Sequence, residues 1–150
     1  MSFDGPSLLK NMLLFEAANN IPLAIALGLY PNFTLSFLLK PAQITPATET
    51  LGQLSSAFLF GMTVPLLLAY PDGPQAEPKR KLAYWALASS EVLALAYNLP
   101  YLLGGAESGW FPAALLTAQG LMSVFLSWRL FVLLAKPEWI SPQGSLKKNV

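Results

Sequence analysis

The chain has 150 residues, 54% hydrophobic and only 11% charged, with a net charge of +1 and a mean hydropathy of +0.48. A soluble domain carries about 25% charged residues, so this is the composition of a membrane protein, and its length holds one domain, residues 1–150, and no second. The small net charge and the lack of a basic face interleaved with aromatics exclude a nucleic-acid partner, while the absence of Cys and His excludes disulfides, thiolate and iron–sulfur chemistry, His-bound haem or zinc and a His general base.

The opening MSFDGPS carries Asp4 where a signal peptide would be basic, and no convincing small-residue cleavage site follows. The first apolar run is therefore expected to act as its own insertion signal. That run, span 1, covers about 8–30 and is long enough for a hydrocarbon core of roughly 30 Å. Pro6 and Ser7 suit a helix start. Glu16 and Asn20 lie one turn apart on one face, and Pro22 has no N–H for the carbonyl of Ala18, which predicts a kink. Phe33–Lys40 (FTLSFLLK) is apolar but too short to cross, and Pro31 and Pro41 bound it. An interfacial or re-entrant helix is expected there. Asn32-Phe33-Thr34 matches a glycosylation sequon hard against the membrane.

Span 2 covers about 50–70. Gln53, Ser56, Phe60 and Thr63 fall on one helical stripe, and Pro65 predicts a second kink. Pro71–Lys81 (PDGPQAEPKRK) reads as a polar, proline-rich loop with a basic end. Span 3, about 82–103, carries a single carboxylate, Glu91, near its centre. Tyr84, Glu91 and Asn98 recur every seven residues and share a face to within about 20° per heptad. Pro100 ends or bends this helix, and Gly104, Gly105 and Gly109 make the next loop flexible. Span 4, about 111–135, sets Gln119, Ser123 and Ser127 on one stripe and Arg129 on another side, near its end. Trp110, Trp128 and Trp139 lie at span ends, as interfacial belts do. Residues 136–150 form a tail.

The expected fold is all-α: an integral membrane four-helix bundle with a short interfacial helix between spans 1 and 2. Four spans place both termini and the 71–81 loop on one side. Lys10, Lys79, Arg80, Lys81, Lys136, Lys147 and Lys148 collect there, against Lys40 alone on the other, so the positive-inside rule makes the N- and C-termini cytosolic. The last four residues, Lys147-Lys148-Asn149-Val150, resemble the di-lysine retrieval signal of endoplasmic-reticulum membrane proteins, which implies a multi-pass protein of that membrane.

Counted from the cytosolic ends, Glu16 lies about eight residues in, Glu91 about nine and Arg129 about six, which at 1.5 Å per residue is one level to within roughly 5 Å. A charge at that depth costs roughly 2.5–3.5 kcal/mol on insertion scales unless it faces protein or a wet cavity. Glu16, Glu91 and Arg129 are therefore the candidate catalytic groups. Arg129 could hold one carboxylate ionised while the other donates a proton; the competing reading is that Arg129 snorkels to the headgroups. Asn20, Gln53, Tyr84, Asn98 and Gln119 are the candidate substrate-binding residues. The polar stripes could equally serve helix packing, where interhelical hydrogen bonds are worth about 0.6 kcal/mol.

With four spans, a short chain and a basic cytosolic C-terminus, the layout resembles the EXPERA class of endoplasmic-reticulum proteins, which includes sterol isomerases and the sigma-2 receptor. The resemblance implies a lipophilic substrate. Isomerases of that class use a His with acidic residues, and this chain has no His, so no site residue is carried over. The expected function is a cofactor-free isomerase or cyclase acting by acid/base chemistry on a sterol-, terpenoid- or polyketide-like molecule. The alternative is a non-catalytic lipid-binding or accessory subunit. The expected partners are the bilayer and a lipophilic small molecule, with homo- or hetero-oligomerisation left open. A channel is disfavoured, because no inverted repeat or ring-forming acidic motif is present.

Overall fold

A computed structural model describes residues 4–104 and 109–141. Among these the structure is helical, with one isolated antiparallel bridge, Leu39–Trp110, in place of any sheet. Helix α1 spans Gly5–Leu29, α2 Pro31–Leu35, α3 Pro46–Ala69, α4 Ala76–Leu102 and α5 Pro112–Leu130. A π-helical turn, Phe131–Ala135, prolongs α5, and short 3-10 turns lie at Pro41–Gln43 and Pro137–Trp139. Three helices are long and apolar enough to cross a membrane: α1, α3 and α5 with its continuation to Ala135. The chain is thus a multi-pass membrane protein. Helix α4 is the longest, but Ser89, Ser90, Glu91 and Asn98 leave it less apolar than these three.

The starts follow from local chemistry. Pro occupies the first turn of α1, α2, α3 and α5, where its missing N–H has no partner to lose. Helix α3 adds a reciprocal cap: Thr48 N–H donates to Thr45 Oγ1 (3.3 Å) and Thr45 N–H to Thr48 Oγ1 (2.7 Å). Two local expectations need correction. The 71–81 loop is shorter than expected, because α4 begins at Ala76. Pro78 sits in its first turn and Lys81 pairs with Glu77 one turn back, so the basic run is helical. The other end of α4 falls at Leu102, two residues past Pro100 and next to the expected limit near 103. The interfacial segment keeps only five helical residues, beginning at Pro31, before it turns toward Pro41. Gly105 and the di-lysine tail, Lys147 and Lys148, lie outside the described residues.

Packing runs α1–α3–α4–α5, with α1 and α3 the closest pair. In lipid, helix association gains little from apolar burial and depends on close approach and interhelical polar bonds. At the α1–α3 interface a Cβ on Gly28 would lie 2.9 Å from Ser56 Oγ, and that hydroxyl donates to Ala24 O at 2.7 Å. The helices therefore touch where the residues are small.

A buried apolar core lies at the end where Gly5 meets Trp139. Leu9 and Leu13 from α1, Leu66 from α3, Tyr84 from α4, and Val132 and Ile140 bury there together. Trp139 covers Gly5 so closely that a Cβ would fall 2.1 Å from its ring. Arg80, fully buried, ties this end. It donates to Ala69 O (3.0 Å), Tyr70 O (3.3 Å), Ile140 O (3.2 Å) and Asp72 Oδ1 (2.6 Å), which satisfies the last carbonyls of α3. Lys10 reaches the other Asp72 oxygen at 2.7 Å. The hydrogen bonds from Lys10 and then Arg80 hold the Asp72 carboxyl below its ordinary value of 3.8. At the opposite end Lys40 N–H donates to Gly109 O (2.8 Å) and Phe111 N–H to Leu38 O (2.9 Å), joining the α2–α3 connection to the start of α5.

Candidate functional site

Glu16, Glu91 and Arg129 meet. Arg129 Nη1 donates to Glu91 Oε1 at 2.8 Å and its Nη2 to Glu16 Oε2, so one guanidinium joins α1, α4 and α5. Arg129 is 2% exposed and does not snorkel. The Tyr84 and Phe125 rings lie 5.8 and 5.7 Å from its Cζ, adding cation–π contact in a desolvated setting. The Tyr84 hydroxyl accepts from Trp128 Nε1 at 3.0 Å, which fixes the ring under the guanidinium. Glu91 Oε2 and Arg129 Nε are buried with no hydrogen-bond partner among the described residues.

Above this cluster lies a cavity of about 450 Å³, walled by α1 and α3 on one side and α4 and α5 on the other. Glu16, Asn19, Asn20, Ser90, Glu91 and Arg129 supply its polar lining; Phe15, Leu23, Phe58, Leu59, Met62, Leu87, Ala94, Leu121, Met122 and Phe125 supply the rest. Met and Phe make an adaptable apolar wall. The composition, mostly apolar with a few convergent polar groups, is that of a small-molecule site.

Of the expected binding residues, Asn20 lines the cavity and Tyr84 supports Arg129 from behind. The other three lie elsewhere. Gln53 is exposed, with its amide 3.4 Å from Gly28 O across the α1–α3 interface. Asn98 turns back onto Ala94 O of its own helix (2.8 Å). Gln119 is buried away from the cavity, and its amide has no partner among the described residues. Along the same stripe Ser123 and Ser127 satisfy themselves, donating to Gln119 O (2.8 Å) and Ser123 O (2.7 Å) one turn back. A hydroxyl bonded within its own helix needs no protein neighbour, so serine spacing does not mark an interior face. Asn19 and Ser90 were not expected at the site, although each sits within three residues of a candidate carboxylate. The buried hub of Arg80 had no sequence signal beyond a charge in a basic run. Asn32 donates to Glu49 Oε1 at 2.8 Å, linking the α1–α2 junction to the first turn of α3.

Two carboxylates face one guanidinium, so one of them can carry a proton while the cluster stays neutral. That arrangement is suited to moving a proton at a fixed position beside an apolar surface. No family model matches the chain, and no curated protein or solved structure shows significant similarity to it.

Proposed function

We propose that this protein is a membrane-embedded isomerase or cyclase that works by acid/base chemistry, without a cofactor, on a lipophilic substrate of sterol, terpenoid or polyketide type. The observation that carries the reading is the Glu16–Arg129–Glu91 cluster at the floor of an apolar cavity. In this reading Glu91 is the general acid/base: it lines the cavity, and its side chain, 13% exposed against 6% for Glu16, is the more accessible of the two carboxylates. Glu16 holds Arg129 in place. The fixed guanidinium stabilises the carboxylate that Glu91 becomes after giving up its proton. Asn20 and Ser90 orient the substrate.

In the same reading α4 is the fourth crossing, its polar residues housed by neighbouring helices, and both termini are cytosolic. The protein resides in the endoplasmic reticulum, retrieved by the Lys147-Lys148-Asn149-Val150 tail. A change of compartment on Lys147→Ser with Lys148→Ser would test that address.

An isomerisation or cyclisation conserves mass. Lipid extracts of cells with and without the gene should therefore show one lipophilic species falling and another of identical mass rising. Glu91→Gln, at matched protein level and correct insertion, should abolish the conversion. Conversion by that variant at the wild-type rate, or no such pair of species, ends the catalytic reading and leaves the lipid-binding or accessory role.

A further inference from the structure

The cavity lining limits the charge of what it can hold. Among the residues lining it, Arg129 is the one cation, set against Glu16 and Glu91. Those two carboxylates already take both terminal nitrogens of the guanidinium, Nη1 by Glu91 and Nη2 by Glu16. With both ionised the floor carries one net negative charge; with one protonated it is neutral. In neither state is a positive charge left over. A lipid carboxylate, phosphate or diphosphate would lose its hydration on entry and meet no countercharge unless it displaced a glutamate. Among the described residues no three acidic side chains gather to hold a bridging metal ion.

The uncharged polar groups act in the same direction. Ser90 spends its hydroxyl proton on Leu87 O (2.8 Å), and Asn19 spends one amide hydrogen on Phe15 O (2.7 Å). What these two have left for a ligand is mostly acceptor capacity. Asn20 can both donate and accept. An anion is an acceptor only, so it finds few donors here. The rest of the lining is apolar.

Building on the reading of this cavity as a substrate site, we propose that it sorts lipids by charge, taking uncharged lipophiles and turning away lipid carboxylates, phosphates and diphosphates. The two glutamates set the preference by occupying Arg129. The reaction that supplies the substrate has then already removed or masked any such group. Chemistry at this site starts at a neutral group of the substrate and not by loss of a diphosphate, whose departure needs cations around it.

The test is binding, so that it stands apart from turnover. The full chain in phosphatidylcholine nanodiscs is irradiated with a diazirine-bearing hexadecyl sulfonamide, and separately with the sulfonate of the same chain. The heads match in shape, and only the sulfonate is charged at neutral pH. Labelling of the segments around Phe15, Leu23 and Leu121 is read relative to Leu54 and Val64, which are exposed and outside the cavity lining. In the wild type the sulfonamide should label the cavity segments at least about tenfold more than the sulfonate. Glu16→Gln with Glu91→Gln frees the guanidinium at nearly unchanged shape, and the preference should invert. Should the unpaired Arg129 leave this double variant poorly folded, the sulfonate should restore its monodisperse fraction and the sulfonamide should not, because the sulfonate supplies the missing anion.

Equal cavity labelling of the wild type by the two probes, a preference for the sulfonate, or no cavity labelling by either overturns the proposal. So does a double variant in which the sulfonate gains neither labelling nor rescue. Charge-sorted labelling in a protein that converts no lipid would end the catalytic proposal and keep this one; conversion of a lipid anion would do the reverse.

Discussion

Replacing Arg129 by Met leaves the shape of the site nearly intact and removes its only positive charge. Glu16, 6% exposed, and Glu91, 13% exposed at its side chain, would then face each other's surroundings without a cation. Breaking a buried pair by removing one partner costs about 3–5 kcal/mol, because an uncompensated charge stays behind. Had these bonds been ordinary interhelical contacts in lipid, the loss would be about 0.6 kcal/mol and at most ~1.7. The two magnitudes meet only at their edges in a thermal assay. For a chain of this size each kcal/mol moves Tm by roughly 2–4 °C, so Arg129→Met should lower it by roughly 6–20 °C, against roughly 1–7 °C for the weaker case. The control replaces the whole cluster: Glu16→Leu, Glu91→Leu and Arg129→Met together. Apolar replacement of a complete buried ion cluster is often neutral or stabilising by about 1–4 kcal/mol, so the triple variant should regain wild-type stability. Detergent-solubilised protein, heated and read by the fraction that stays monodisperse, gives both numbers. A shift under about 3 °C for Arg129→Met, or a triple variant less stable than the single, would refute the reasoning that the cluster is buried and mutually dependent.

Three further outcomes follow from the packing. Asp72 has a folded-state carboxyl held below its ordinary value of 3.8 by Lys10 and Arg80, so its contribution is complete above that pH and is lost as pH falls through the folded value; Asp72→Asn should lower Tm at neutrality and flatten the acid limb of a Tm-versus-pH series below about pH 4, so that the variant and wild-type curves converge in acid. Gly28→Ala should cost about 1–3 kcal/mol by pushing Ser56 off α1, and Ser56→Gly in the same chain should recover part of it, as a double-mutant cycle on thermal stability would report. Arg80→Lys keeps the charge but cannot span four acceptors in two directions, so it should lose at least about 2 kcal/mol and expose the 70–75 turn to limited proteolysis.

The sequence by itself determined lengths and depths. Rise per residue is a local property of the helix, so an apolar run announces its span, and Glu16, Glu91 and Arg129 could be put at one level before any neighbour was known. Pro6 marked the start of α1 for the same local reason. Direction around each axis was a different matter. Which side of α5 looks inward depends on where α1 and α4 stand and how far each helix is rotated, and those follow from packing of small residues such as Gly28 against Ser56. Only the tertiary structure therefore decided that Arg129 reaches both carboxylates, and that Gln53, Asn98 and Gln119 turn elsewhere. It alone showed that Arg80, one basic residue in a basic run, is the fully buried tie of the terminal end. Depth is set along one helix, whereas azimuth is set by all of them together.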